Sequence, residues 1–389
     1  MIDSNGPTAR RFPLVARPRP ACTPLPQRVI HLRRRAATAA RKHDIAEATA
    51  VFNLAALLAS DSGLPNLAHQ WTHRLAHATL RRESQNARTA INSLEPVVNL
   101  ARLRTRAGDG LGAWALLENL YQATVTRTDT VIDGIEIPAA RLTAVADVYQ
   151  QLRAWLWSVL LSSGARALAV AGRWEDAHRR LARYKGIGQR MLDGRQIAVM
   201  AHASTSEHDA VLALLRDTQP GERWENAVTA CLAELCLPNG ASSADFSDSL
   251  DAYRALDTAA PGLAVFHTRL GLSLIDACGG VNKPAVHAVA ATLLDHAITD
   301  GYAARDVLAH PVCQTIATGQ QLHKLARLVE DCGLDIGFVS ADVVTELSAA
   351  LNTAERVIST KVPASAALSP RVYTSVLPRR SAKGIHRAW

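Results

Sequence analysis

His69, His73 and His77 stand four residues apart, a spacing that lines imidazoles along one face of a helix. Two such rings can chelate zinc, and a third ligand would leave an open position for chemistry. The three span about 12 Å of helix, so they cannot all reach one ion. Position 70 is Gln70, where a zinc-protease helix needs a glutamate. These histidines are expected to form a solvated or groove-lining face, with no metal. Cys231 and Cys236 lie five apart, out of phase for joint ligation, and read as buried structural thiols. The glycine clusters at 186–188 and 108–112 suggest phosphate loops, yet neither follows a strand or ends in Gly-Lys-Ser/Thr. Both are expected to be interhelical turns. No serine elbow, kinase lysine or paired-carboxylate motif is present, so no catalytic residue and no cofactor is assigned, and the sequence leans away from an enzyme.

A different pair of polar residues repeats. Val51-Phe52-Asn53-Leu54-Ala55-Ala56-Leu57 recurs as Val97-Val98-Asn99-Leu100-Ala101-Arg102-Leu103, and each copy runs into a glycine turn. Asn99 and Arg102 share a helix face, and Arg102 and Arg166 each lie six residues before a turn glycine, Gly108 and Gly172. Repeats 20–50 residues apart mark stacks in which each unit buries its apolar face against its neighbours.

The surrounding elements are helical. Ala and Leu are abundant and aromatics make up only 5% of the 389 residues, which favours helices packed through small side chains. Five breaks share one logic, a polar or glycine residue leading to an alanine: His43 to Ala48, Gly63 to Ala68, Gly108 to Ala113, Gly172 to Ala177 and Ser206 to Ala210. Glycine permits a left-handed cap, and the alanine lets the next helix lie close. Helical spacing continues without the repeat at 224–237, 250–256, 262–278, 285–299, 320–332 and 339–358. Between two helices, Thr130 to Pro138 alternates β-branched residues around Asp133-Gly134, which reads as a small β-hairpin or an ordered loop.

The segment from Ala165 to Tyr184 resembles the helix–turn–helix centre of a tetratricopeptide repeat, and Leu100 to Tyr121 is similar. The resemblance covers roughly Asp44 to Leu215. The alanine spacings of 20, 45, 64 and 33 residues depart from the family period of about 34, so it implies a divergent α-solenoid. In such grooves, asparagine and arginine on the first helix of each pair hold a peptide backbone or carboxylate. The resemblance therefore implies that Asn53, Asn99, Arg102 and Arg166 bind peptide; the alternative is that the asparagines bridge neighbouring helices and the arginines lie over apolar surface.

Charge is uneven. Residues 1–43 carry ten Lys/Arg against Asp3 alone, and 361–389 carry six with no acid; with 43 basic and 35 acidic residues overall, the body is net acidic. Six prolines in 1–26 exclude helix there. The expected layout is a disordered, basic, Pro-rich arm (1–28), tetratricopeptide-like repeats (29–217), a second helical half (218–360) and a disordered basic tail (361–389). Scattered cysteines, no apolar export segment and no run of 18 apolar residues point to the cytoplasm and to no membrane. Arginine outnumbers lysine in a way that resembles high-GC actinobacterial proteins. The expected protein is an all-α stack of helix pairs, an adaptor or regulator binding a peptide or protein segment in a concave groove. Alternatives are non-specific nucleic-acid association through the basic tails, or an all-α enzyme or accessory subunit of a biosynthetic pathway.

Overall fold

The computed structural model describes residues 3–80, 84–236, 246–279 and 281–360. Among the described residues the fold is all-helical apart from one hairpin. A short α1 (Pro7–Arg11) precedes α2 (Leu25–Lys42), α3 (Ile45–Asp61), α4 (Pro65–Thr79), α5 (Ala87–Arg106) and α6 (Gly110–Thr126). The hairpin, β1 (Thr130–Ile132) and β2 (Ile135–Ile137), is followed by α7 (Ala146–Val159), α8 (Ala165–Val170), α9 (Trp174–Arg183), α10 (Asp193–Ser204), α11 (His208–Arg216) and α12 (Arg223–Cys236). Then come α13 (Phe246–Arg254), α14 (Ala264–Cys278), α15 (Pro284–His296), α16 (Gly301–Leu308), α17 (Pro311–Ile316), α18 (Gly319–Asp331) and α19 (Ala341–Ser359). A π-helical turn, Leu160–Gly164, joins α7 to α8.

Local chemistry sets the breaks. His43, Gly63, Gly108, Gly172 and Ser206, the first residues of the five expected turns, all have left-handed backbone. Asp44 and Asp109 then cap α3 and α6 by accepting from the amides of Glu47 and Gly112. Ala48, Ala68, Ala113 and Ala177 are fully buried. Gly110 shows why small residues recur: a Cβ there would come within 2.3 Å of the Ala167 carbonyl oxygen, so α6 and α8 meet backbone to backbone.

From α2 to α6 and from α8 to α17 successive helices pack side by side, α18 returns onto α16, and the stack closes on itself. The last helix, α19, lies against α2, α3 and α4, and these four share one apolar cluster. A second, larger cluster runs from Ala9 to Leu325 without a break at 217, so both expected halves share one core. Closure is reinforced at the end of α3, where Asp61 and Ser62 carbonyls accept from the amides of Asp335 and Gly337 (2.7 and 2.9 Å).

The hairpin pairs Val131 with Glu136 through a tight turn at Asp133-Gly134, whose positive φ values suit Asp and Gly. Ile132, Ile135 and Ile137 are buried, whereas Val131 is exposed. The N-terminal arm departs from expectation: α2 begins at Leu25, and the preceding segment packs into the body instead of being disordered. The expected exclusion of helix over 1–26 also fails, because Pro7 and Pro26 sit in the first turns of α1 and α2, where a missing N–H costs nothing; the arm carries Ala9, Phe12, Leu14 and Cys22, all buried. The tail 361–389 lies outside the described residues. No helix among the described residues is long and apolar enough to cross a membrane.

Candidate functional site

Asn53 and Asn99 occupy matching positions on α3 and α5, facing the inside of the closed stack. The Asn99 amide donates to Asn53 Oδ1 at 3.0 Å, and Arg102 Nη1 donates to Asn99 Oδ1 at 2.7 Å. Both asparagines are buried. They therefore bridge neighbouring helices, the alternative role open in the sequence, while also lining a half-open cavity of about 270 Å³. Arg102 and Arg166 line the same cavity, so all four residues singled out from the sequence meet in one place.

The inner face already holds polypeptide. Residues 12–24 cross it without helix or strand, as a strap. The side-chain amide of Gln196 on α10 grips Leu14 by both backbone groups, accepting from its N–H at 2.6 Å and donating to its carbonyl at 2.7 Å. Arg166 Nη1 donates to the Pro13 carbonyl at 3.0 Å. Arg17 forms an ion pair with Asp193, and the Arg19 amide donates to Gly262 O at 3.1 Å. Gly262 has a positive φ, and a Cβ there would stand 2.9 Å from the Arg19 backbone, so the strap's close approach requires glycine. Further along, Cys22 exchanges hydrogen bonds with Asp300 and Gly301 at the start of α16. At the near end, the indole of Trp174 donates to the Ser4 carbonyl at 3.0 Å. Trp174 itself is 2% exposed.

Asp276 on α14 anchors the strap's start. Its carboxylate accepts from Thr8 Oγ1 and Arg11 Nη1, both at 2.5 Å, and faces His310 Nε2 at 2.9 Å. Burial alone would raise its pKa, but the bonds from His310, Arg11 and Thr8 outweigh it and hold the group at about 2. Its contribution to stability is therefore complete above the ordinary carboxylate pKa of about 4 and is lost as pH falls toward about 2. Acid titration followed by circular dichroism should show a loss of about 2 kcal/mol from this group across that window. Asp276→Asn should remove that part of the pH dependence and lower stability at neutral pH by a similar amount; an unchanged acid profile would show that Asp276 does not hold the strap.

Electrostatically the cavity is cationic. Arg17, Arg19, Arg102, Arg106, Arg166 and Arg269 line it, against one carboxylate, Asp193. Burial, then the nearby charges of Arg269 and Arg19, pushes the Arg166 guanidinium down to about 9, with Asp193 acting in the opposite sense. Burial likewise lowers Arg102, opposed by Glu95.

A separate cluster forms where the hairpin meets α4. His69 Nε2 lies 3.1 Å and His73 Nε2 3.8 Å from Asp133 Oδ2, and the two rings stack at 4.4 Å. The histidines do not ligate as a trio, since the third donor comes from the hairpin in place of His77. Two nitrogens and a carboxylate oxygen suit a divalent cation. Arg104, however, holds the other Asp133 oxygen at 3.0 Å and sets a positive charge beside it. The geometry is that of a hairpin tip pinned to α4 and α5. Burial, then His69, lowers the pKa of His73, favouring the neutral ring.

Sequence reasoning missed Gln196, Asp193, Arg106, Arg269 and the strap itself. None shares the repeat. One signal was present: Gln196 is an amide at the head of the apolar run Ile197–Ala201 of α10, and it is fully buried. No family model, no curated protein and no solved structure matches this chain.

Proposed function

We propose that this protein is an adaptor or regulator that holds a polypeptide segment on the inner face of a divergent tetratricopeptide-like stack. One observation carries the reading: the strap's backbone is gripped by side chains, Gln196 at Leu14 and Arg166 at Pro13. Bonds to main-chain groups recognise a segment largely independently of its side chains, so another chain could make the same bonds. In this conformation the occupant is the protein's own N-terminal segment, which makes it the competitor that an incoming partner would displace. Nucleic-acid association draws less support, because Arg11, Arg17, Arg28, Arg33 and Arg35 are engaged with carboxylates of the body.

The test is a fluorescence titration of a labelled peptide spanning residues 8–21 with the full chain. A tethered segment competes at an effective concentration of about a millimolar, so the wild type should bind the peptide weakly. Loosening the chain's own strap by Phe12→Ala, or by Arg11→Ala where the former folds poorly, should tighten binding about tenfold or more. Adding Gln196→Ala should abolish that gain. Failure of both loosened chains to bind the peptide would contradict the reading.

A further inference from the structure

Beneath the strap, three of the six arginines facing the cavity are paired: Arg17 with Asp193, Arg106 with Asp61 and Arg269 with Asp306. Arg19, Arg102 and Arg166 have no carboxylate within 4 Å among the described residues. Each uses little of its donor capacity. Arg102 makes one bond, to the Asn99 side chain, Arg166 one bond, to the Pro13 carbonyl, and Arg19 lies 4.6 Å over the Tyr302 ring. A guanidinium has five N–H donors in a planar fork suited to phosphate and carboxylate oxygens. Glu95 and Asp193 act on Arg102 and Arg166 only at a distance. Charge drawn away from water without a partner is costly, and several like charges around one chamber add repulsion. An anion in the chamber would relieve both at once.

The remainder of the wall defines what that anion is attached to. Leu57, Leu103, Val265 and Phe266 supply an apolar surface beside the guanidiniums, and Ser162 and Ser163, from the π-helical turn, add hydroxyls. π-Helical turns within α-helices recur at functional sites. At about 270 Å³ the chamber is just below the about 300–1,000 Å³ usual for small-molecule sites, a size for a small ligand. We infer that the chamber is a binding site for a small phosphate-bearing molecule, its phosphate oxygens held by Arg19, Arg102 and Arg166 and its apolar or aromatic body against Leu57, Leu103, Val265 and Phe266. A phosphate monoester brings about two negative charges near neutral pH, which offsets most of the unpaired positive charge. The site needs the strap only where it is now, so it stands independently of whether a partner segment can replace the strap.

The test is calorimetric titration of the full chain with inorganic phosphate, pyrophosphate and a nucleoside monophosphate. Pyrophosphate should bind saturably at sub-millimolar concentration, and the nucleoside monophosphate more tightly than phosphate. Arg102→Met should weaken pyrophosphate binding at least tenfold while the ligand-free protein stays folded, the relief of repulsion offsetting the lost bond to Asn99 Oδ1. Arg102→Lys, which keeps the charge but loses the fork, should fall between the two. The inference is overturned by the absence of saturable binding at millimolar concentrations, or by an Arg102→Met chain that binds pyrophosphate like the wild type. Equal affinity for phosphate and the nucleoside monophosphate would overturn the assignment of the apolar wall. Labelled-peptide binding is read separately, so failure here and failure of the segment-binding proposal are distinguishable.

Discussion

Replacement of Asp61 by alanine is expected to lower stability by about 3–5 kcal/mol, the cost of breaking a buried ion pair from one side. Asp61 is 3% exposed and accepts from Arg28 Nη2 at 2.5 Å, Arg106 Nη1 at 2.8 Å and Tyr302 Oη at 2.5 Å. It thus ties α2, α5 and α16 together at the end of α3, where the first and last parts of the stack meet. Its removal strands the Arg28 guanidinium, which is largely buried; Arg106 is more exposed and can turn toward water, so its share is smaller. Asp61→Asn keeps an acceptor in place and should cost about half as much. Urea denaturation of the three chains measures the difference. A loss below about 1 kcal/mol for the alanine variant would place this hub among ordinary surface pairs and remove the argument for closure through it.

Phe12→Ala is expected to have a comparable cost, about 3–5 kcal/mol, since the ring is fully buried in the main apolar cluster. The effect should divide into two observations. Global stability falls through the lost burial, and the strap, deprived of its apolar anchor, becomes open to proteolysis after Arg10 and Arg11. If the variant lost stability while cleavage there stayed as slow as in the wild type, Phe12 would be a core residue that does nothing to hold the strap.

The features legible in the sequence are those with local causes. The left-handed backbone at His43, Gly63, Gly108, Gly172 and Ser206, and the buried alanines after four of them, follow from cap chemistry and close helix packing within a few residues. The repeated Asn53 and Asn99 are legible because equal places in a repeat become equal places in a stack, and their hydrogen bond follows from that equivalence. The strap's position is not legible in the same way. Its own residues carry no sign of where it lies, because Pro13 and Leu14 are held by Arg166 and Gln196, more than 150 residues away. Closure is equally non-local: α19 and α2 meet across nearly the whole chain. The cavity's cationic character escapes a linear reading because its arginines come from four separate places, the strap, α5, α8 and α14, which only the fold brings together.

Amide hydrogen exchange of residues 12–19 in the full chain, compared with Gln196→Ala, tests most directly whether the inner face grips backbone. The Leu14 amide, bonded to Gln196 Oε1, should exchange slowly in the wild type and lose most of that protection in the variant. Exchange of the whole segment at free-peptide rates in the wild type would contradict the account.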